Sequence, residues 1–160
     1  MHQPNSIIHD NVAQEETGEA GAVLNGEGCS LWFRGSVSWM KNRGYNAAAM
    51  LNKGKVMFQE ALLVQDNGAA MDGGGFINET GAEMSFCSNV EFIANVGTGY
   101  GGAILNHAAL TFKGGDGAIV LFQDNYCGEQ ECHDIQNKDG SDVSGLESVP
   151  DLCAIGTQVL

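Results

Sequence analysis

Two short phrases return along this chain at a nearly fixed interval. The first closes an aliphatic pair with asparagine: GAVLN at 21–25, AAMLN at 48–52, GGFIN at 74–78 and GGAILN at 101–106. The second is WMKN at 39–42, VQDN at 64–67, FIAN at 92–95 and FQDN at 122–125. Self-similarity with a period of about 20–50 residues constrains architecture more than any local pattern, because each copy must be one supersecondary unit. Asn25, Asn52, Asn78 and Asn106 stand 27, 26 and 28 residues apart. Asn42, Asn67, Asn95 and Asn125 stand 25, 28 and 30 apart. Between the two phrases lies a third, LWF at 31–33, VMF at 56–58, MSF at 84–86 and LTF at 110–112. GGDG at 114–117 is an insertion in the last copy, and IHDN at 8–11 is the tail of an incomplete first one.

Three apolar phrases per copy, separated by Gly, Asn and Asp, predict three short strands and three turns. The second phrase alternates with period two: Val37 and Trp39, Leu62 and Val64, Val90 and Phe92, Val120 and Phe122 precede its asparagines by five and three residues. That is a strand with one buried face. No copy holds a glycine-free apolar stripe long enough for a helix, and β-branched and aromatic residues dominate. A unit this small cannot bury its own apolar face, whereas stacked copies bury a continuous core. The expected fold is therefore all-β, a parallel β-helix of about 4–5 rungs, right-handed like other parallel crossovers. At about 4.8 Å per rung it stands on the order of 20 Å tall.

The recurring asparagines read as structure. Asn tolerates the left-handed backbone of tight turns, and its amide both donates and accepts, so stacked copies can bond from rung to rung. The glycines of MDGGG at 71–75 and GTGYGG at 97–102 read as turns, since a phosphate loop needs a following helix and usually a lysine.

Three regions follow. Residues 1–20 form a polar lead-in with a partial rung, 21–126 form the solenoid, and 127–160 form an irregular cap or arm holding three of the five cysteines. Any disulfide is expected among Cys127, Cys132 and Cys153. Cys29 and Cys87 lie two rungs apart, roughly 10 Å along the axis and too far to bond.

Chemistry is sparse. With 43% hydrophobic and 17% charged residues, 23 glycines and 2 prolines, the composition suits a turn-rich folded domain. The net charge of −13, from 20 acidic and 7 basic residues, argues against nucleic acid and against anionic membrane surfaces. No apolar run reaches the length of a membrane span. MHQPNSIIHD at 1–10 lacks the regions of a signal peptide. It fits either an intracellular chain or a mature piece without its leader, and the expectation is a secreted, cell-surface or organelle-lumenal setting.

Asp66 and Asp124 occupy equivalent places two copies apart, a separation near that of an inverting glycosidase pair, with Asp72 and Glu91 as further acids. The only arginines, Arg34 and Arg43, fall on different turns. The plainer reading makes both aspartates corner residues of QDN turns. CGEQECH at 127–133 has too many residues between its cysteines for haem attachment and lacks a partner pair for zinc. NKDGSD at 137–142 is out of register for a calcium loop, which leaves only weak calcium binding through surface acids. His2, His9 and His107 stand alone. No cofactor and no metal site is expected.

The phrases resemble the paired repeats of chlamydial polymorphic outer-membrane proteins, GGA plus an aliphatic, and FxxN. The matching residues are Gly101-Gly102-Ala103-Ile104, Phe92 to Asn95, and Phe122 to Asn125. Trp39 and Val64 replace the phenylalanine in other copies, and AAM at 48–50 replaces GGA. The resemblance spans about residues 8–126, and similar repeats occur in β-helical proteins of unknown role, including algal ones. It implies a β-helix and an adhesin-like, protein-binding role. Family members carry a membrane β-barrel after the repeats; these 160 residues contain no barrel pattern, so that export route is not expected. The leading expectation is a non-enzymatic β-solenoid that docks onto partner proteins, as an extrinsic subunit of a larger membrane-associated assembly or an adhesin-like fragment. The alternative is a β-helix that binds or cleaves polysaccharides.

Overall fold

A computed structural model describes residues 6–13, 18–114, 118–128, 134–137 and 141–145. Among them there is no helix, and every strand pairing is parallel. In chain order the strands are β1 (Ser6–His9), β2 (Val23–Asn25), β3 (Ser30–Phe33), β4 (Val37–Met40) and β5 (Arg43–Gly44). The next circuit holds β6 (Met50–Asn52), β7 (Lys55–Phe58), β8 (Leu62–Gln65) and β9 (Gly68–Ala69). Then come β10 (Phe76–Asn78), β11 (Glu83–Phe86), β12 (Val90–Ile93) and β13 (Val96–Gly97). The last are β14 (Ile104–Asn106), β15 (Ala109–Phe112), β16 (Val120–Gln123), β17 (Tyr126–Cys127), β18 (Ile135–Asn137) and β19 (Asp142–Ser144).

They stack into four sheets: sheet I is β1-β4-β8-β12-β16, sheet II is β2-β6-β10-β14-β18, sheet III is β3-β7-β11-β15-β19 and sheet IV is β5-β9-β13-β17. Each circuit passes II, III, I, IV and returns to II. The molecule is thus a parallel β-solenoid of five levels, about four turns.

The structure departs from the expected three-strand unit in two ways. A fourth strand follows each asparagine of the second phrase: Arg43–Gly44, Gly68–Ala69, Val96–Gly97, Tyr126–Cys127. Two residues cannot display a period, so this strand has no alternation signal to read. The stack also continues past residue 126. β18 pairs with β14 and β19 with β15, so described parts of the segment expected to be irregular complete a fifth level.

The core lies inside the sheets. Phe33, Phe58, Phe86 and Phe112 stack up sheet III with ring centroids 4.9, 5.3 and 5.0 Å apart. Trp39, Val64, Phe92 and Phe122 fill sheet I, and Phe76 of sheet II meets both columns, 5.8 Å from Phe58 and 5.3 Å from Phe92. Stacked identical positions give near-parallel rings, at 10° for Phe92 and Phe122; between sheets Phe112 and Phe122 meet edge to face, while Phe58 and Phe76 are near-parallel at 10°. Trp39 is fully buried, edge-on to Phe33 and Phe76, and its Nε1 has no hydrogen-bond partner. The glycines of MDGGG permit close passage between turns. A Cβ on Gly75 would stand 2.6 Å from the Ala103 carbonyl oxygen, and one on Gly74 would strike the Gly102 carbonyl and the Val96 backbone.

Candidate functional site

The asparagines form two columns inside the corners. In the first, the Nδ2 of Asn25 donates to Asn52 Oδ1 at 2.7 Å, Asn52 to Asn78 at 2.8 Å, Asn78 to Asn106 at 2.9 Å and Asn106 to Asn137 at 3.0 Å. The second Nδ2 hydrogen reaches a main-chain carbonyl: Lys55 O from Asn25, Glu83 O from Asn52, Ala109 O from Asn78. In the second column Asn11 donates to Asn42 at 2.9 Å, Asn42 to Asn67 at 2.9 Å, Asn67 to Asn95 at 2.9 Å and Asn95 to Asn125 at 2.8 Å. Each Oδ1 there also accepts the main-chain N–H of the preceding asparagine. Asn125 ends this column on Asp134 Oδ1 at 2.8 Å. The inner members are fully buried, and a buried amide is stable only when its donors and acceptor are satisfied.

Asn137 and Asp134 extend the columns beyond the eight asparagines that the spacing picks out. IQN at 135–137, 31 residues after Asn106, is another aliphatic phrase closed by asparagine. Only its unusual preceding residues hide it.

The left-handed corner is displaced by one residue from the expectation. The positive φ belongs to the residue before the second-phrase asparagine: Asp10 at 55°, Lys41 at 56°, Asp66 at 55°, Ala94 at 53° and Asp124 at 54°. The asparagines themselves keep negative φ, because their side chains must point inward while the chain turns just before them.

This places the candidate acids. Asp66 and Asp124 are turn residues of one corner, and the guanidinium Nη1 of Arg43 donates to the Asp66 carbonyl at 2.6 Å and the Asn42 carbonyl at 3.0 Å. Asp72 Oδ1 accepts the Tyr100 N–H at 2.9 Å in another turn. Glu91 lies on the outer side of sheet I, and Arg34 lies over the Trp32 ring at 5.8 Å. Apart from Arg43 against the Asp66 main chain, the four acids and two arginines therefore do not gather around one point. His9 contacts Asp10 at 2.7 Å, and this hydrogen bond lowers the Asp10 carboxyl below its ordinary range. Lys53 meets Glu19 at 2.8 Å, and that hydrogen bond raises the lysine above its ordinary range.

Cys29 and Cys87 are free thiols, and Cys127 is disulfide-bonded. Cys132 and Cys153 lie outside the described residues, as do His2, His133 and residues 138–140 of the calcium-like loop. Among the described residues no group of three or more His, Cys, Asp or Glu could hold a metal ion, and no helix is long and apolar enough to cross a membrane.

The three larger sheets differ on their outer sides. On sheet II the outward Leu51, Ile77 and Leu105 are buried at 2–3% exposure under a small second core with Ala47, against which Ala20 packs. Sheet III presents ten outward residues, in the columns Ser30-Lys55-Glu83-Ala109-Asp142 and Trp32-Met57-Ser85-Thr111-Ser144, with three charged side chains and three apolar ones. Sheet I presents ten outward residues in two columns, Ile7-Ser38-Leu63-Glu91-Leu121 and His9-Met40-Gln65-Ile93-Gln123. Half are apolar, one is a carboxylate, and most are half-buried by their neighbours alone.

No protein-family model, curated protein or solved structure matches this chain. The class that the fold defines is the parallel β-solenoid with internal asparagine ladders.

Proposed function

We propose that this protein is a non-enzymatic docking module that binds another protein through the outer side of sheet I. The observation that carries the reading is the composition of that side. Five apolar residues and a single carboxylate lie among the ten outward residues of a five-stranded sheet, on a chain whose net charge is −13. An apolar patch spared by the charge of the remaining surface is the ordinary mark of an interaction site. The partner it fits is a protein with a flat apolar surface, rimmed by neutral or basic groups that tolerate the acidic surroundings. The resemblance to adhesin-like repeats is in keeping with this role, which would make the protein an extrinsic subunit of a larger assembly or an adhesin-like fragment.

The test is purification from the native source with mass spectrometry of what accompanies the protein, repeated with Leu63→Glu and Leu121→Glu together. The expected result is one specific partner, lost in the double variant while its melting curve is retained. The polysaccharide reading prevails instead if the protein cleaves pectin, alginate or a glucan and Asp66→Asn or Asp124→Asn abolishes turnover in a folded protein.

A further inference from the structure

The solenoid repeats at every level, but the outer side of sheet I repeats at every second one. The phrase that builds its strands comes in two alternating versions. Counting from β1, IIHDN at 7–11, LVQDN at 63–67 and LFQDN at 121–125 serve levels one, three and five. SWMKN at 38–42 and EFIAN at 91–95 serve levels two and four. At the odd levels the first outward column is apolar, with Ile7, Leu63 and Leu121, and the second is polar. At the even levels the first column is polar and the second is apolar, with Met40 and Ile93. The apolar residues therefore zigzag up the face. In each column they recur every two levels, roughly 9.6 Å, and the two columns are staggered by one level, roughly 4.8 Å. Inward packing does not impose this alternation, since phenylalanine stands inward at both an even and an odd level, as Phe92 and Phe122.

The turn beside the second column alternates in step. Its stacked left-handed residues are Asp10, Lys41, Asp66, Ala94 and Asp124, so a carboxylate stands at every odd level. Two of the three lean onto the face: Asp10 meets the outward His9 at 2.7 Å, and Asp124 accepts from the outward Gln123 at 3.2 Å. The other full charges of the outward columns and this turn are Glu91 and Lys41, which offset each other. What remains is a row of three acids along one edge of an apolar zigzag.

We infer that the occupant of this face is an amphipathic α-helix of the partner protein, laid along the solenoid axis. The inference rests on the docking reading and narrows its partner to one helix with a heptad pattern. Seven residues of helix rise about 10.5 Å, close to two levels. The apolar a and d positions of a heptad are staggered by about 4.5 and 6 Å, close to one level. From the first strand of the sheet to the last is roughly 19 Å, against about 21 Å for two heptads, a mismatch that side chains absorb. One basic residue per heptad on the flank of the helix meets Asp10, Asp66 and Asp124 in turn. Other occupants fail on period or charge. An extended strand along the axis repeats its side chains every 6.7 Å or so, and a sheet stacked level on level repeats at every level, about 4.8 Å. Two copies face to face with antiparallel axes set Asp66 against Asp66. With parallel axes they set apolar residues against polar ones, Ile7 against His9.

Photo-cross-linking tests it. In three full-length variants, Leu63, Ile93 or Leu121 is replaced by photoreactive benzoylphenylalanine. Each variant is irradiated in an extract of the native source, and the cross-linked residues of the partner are mapped by mass spectrometry. The expected result is a single partner segment, with the residues caught from Leu63 and Leu121 about seven apart and the residue caught from Ile93 between them. Residues about three apart would mean an extended strand. Residues on separate segments would mean the face of a folded domain, and residues of this same chain a second copy. Each of these outcomes overturns the helix while sheet I still holds a protein. No cross-link from any of the three variants overturns the docking reading with it. Against the captured partner, Asp10→Asn, Asp66→Asn and Asp124→Asn together should weaken binding about tenfold and flatten its dependence on salt, because three exposed ion pairs are lost. Melting should not change, since asparagine occupies the left-handed corner as readily as aspartate. An unchanged affinity overturns the basic row, and the proposed helix with it.

Discussion

The two asparagine columns use the same side chain but tie the stack together differently. In the first, Asn78 makes three side-chain bonds: to Asn106 Oδ1, to the Ala109 carbonyl, and from Asn52 Nδ2. Main-chain contact in this column runs forward to the next level or stays within the same turn, as where the Gly54 N–H donates to Asn52 Oδ1, and none reaches back. In the second, Asn67 Oδ1 accepts both the main-chain N–H and the Nδ2 of Asn42, and its own Nδ2 reaches back to the Trp39 carbonyl while also donating forward to Asn95. The second column therefore replaces main-chain pairing at the corner where the chain turns through a left-handed residue. The first adds to a sheet that is already paired. One residue type, in one periodic pattern, fastens an edge in one place and reinforces a sheet in the other.

The largest test of this difference compares two substitutions of equal chemistry. Asn67→Leu leaves the Asn42 N–H and one Asn42 amide hydrogen without an acceptor, and we expect a loss of about 3–5 kcal/mol. Asn78→Leu strands one side-chain amide hydrogen and leaves two acceptors underfilled, and should cost about 1–3 kcal/mol. Denaturant unfolding of both variants measures the gap; equal losses would show that the columns are equivalent.

A smaller effect is expected at Ala94, the one corner residue with neither a polar side chain nor a long one, held at φ 53° ahead of Asn95. Ala94→Asn should stabilise by about 0.5–1 kcal/mol, because asparagine occupies the left-handed region at lower cost than alanine. A lowered melting temperature would mean that the corner is not strained there.

The smallest concerns Lys53, which follows Asn52 in the first column and pairs with Glu19 at the surface. Its pKa is raised by the hydrogen bond to Glu19, so the stabilisation is present below the ordinary lysine range and is lost as pH rises through the folded-state value. The expected contribution is on the order of 0.5 kcal/mol. Glu19→Gln should remove it at neutral pH and flatten the alkaline end of the stability profile; an unchanged profile would show that the pair contributes nothing.

Much of the fold was legible before any coordinates. The inward columns of sheets I and III follow from residues three and five before one asparagine and from the aromatic closing the third phrase, because column membership depends only on phase within the repeat. The short sheet IV was not legible, since two residues such as Val96–Gly97 carry no alternation. Asn137 was within reach from its spacing, but the unfamiliar residues before it broke the phrase. The left-handed position was misplaced because Asn is a common left-handed residue, and only the inward aim of Asn67 shows that Asp66 must turn instead.

The sequence by itself determined the stacking: a period near 27, one buried face per strand and an amide at each corner admit few folds other than a parallel solenoid. Tertiary structure alone decided which outer surfaces are covered. Leu51, Ile77 and Leu105 look no different in sequence from Leu63, Ile93 and Leu121, all outward apolar residues. The first three are buried because the turns leading into sheet II fold over them, with Ala47 at the contact. The others stay accessible because no described turn crosses sheet I. Burial on the inside follows from repetition, which is local. Burial on the outside follows from the path of the turns between sheets, and spacing along the chain carries no record of that path.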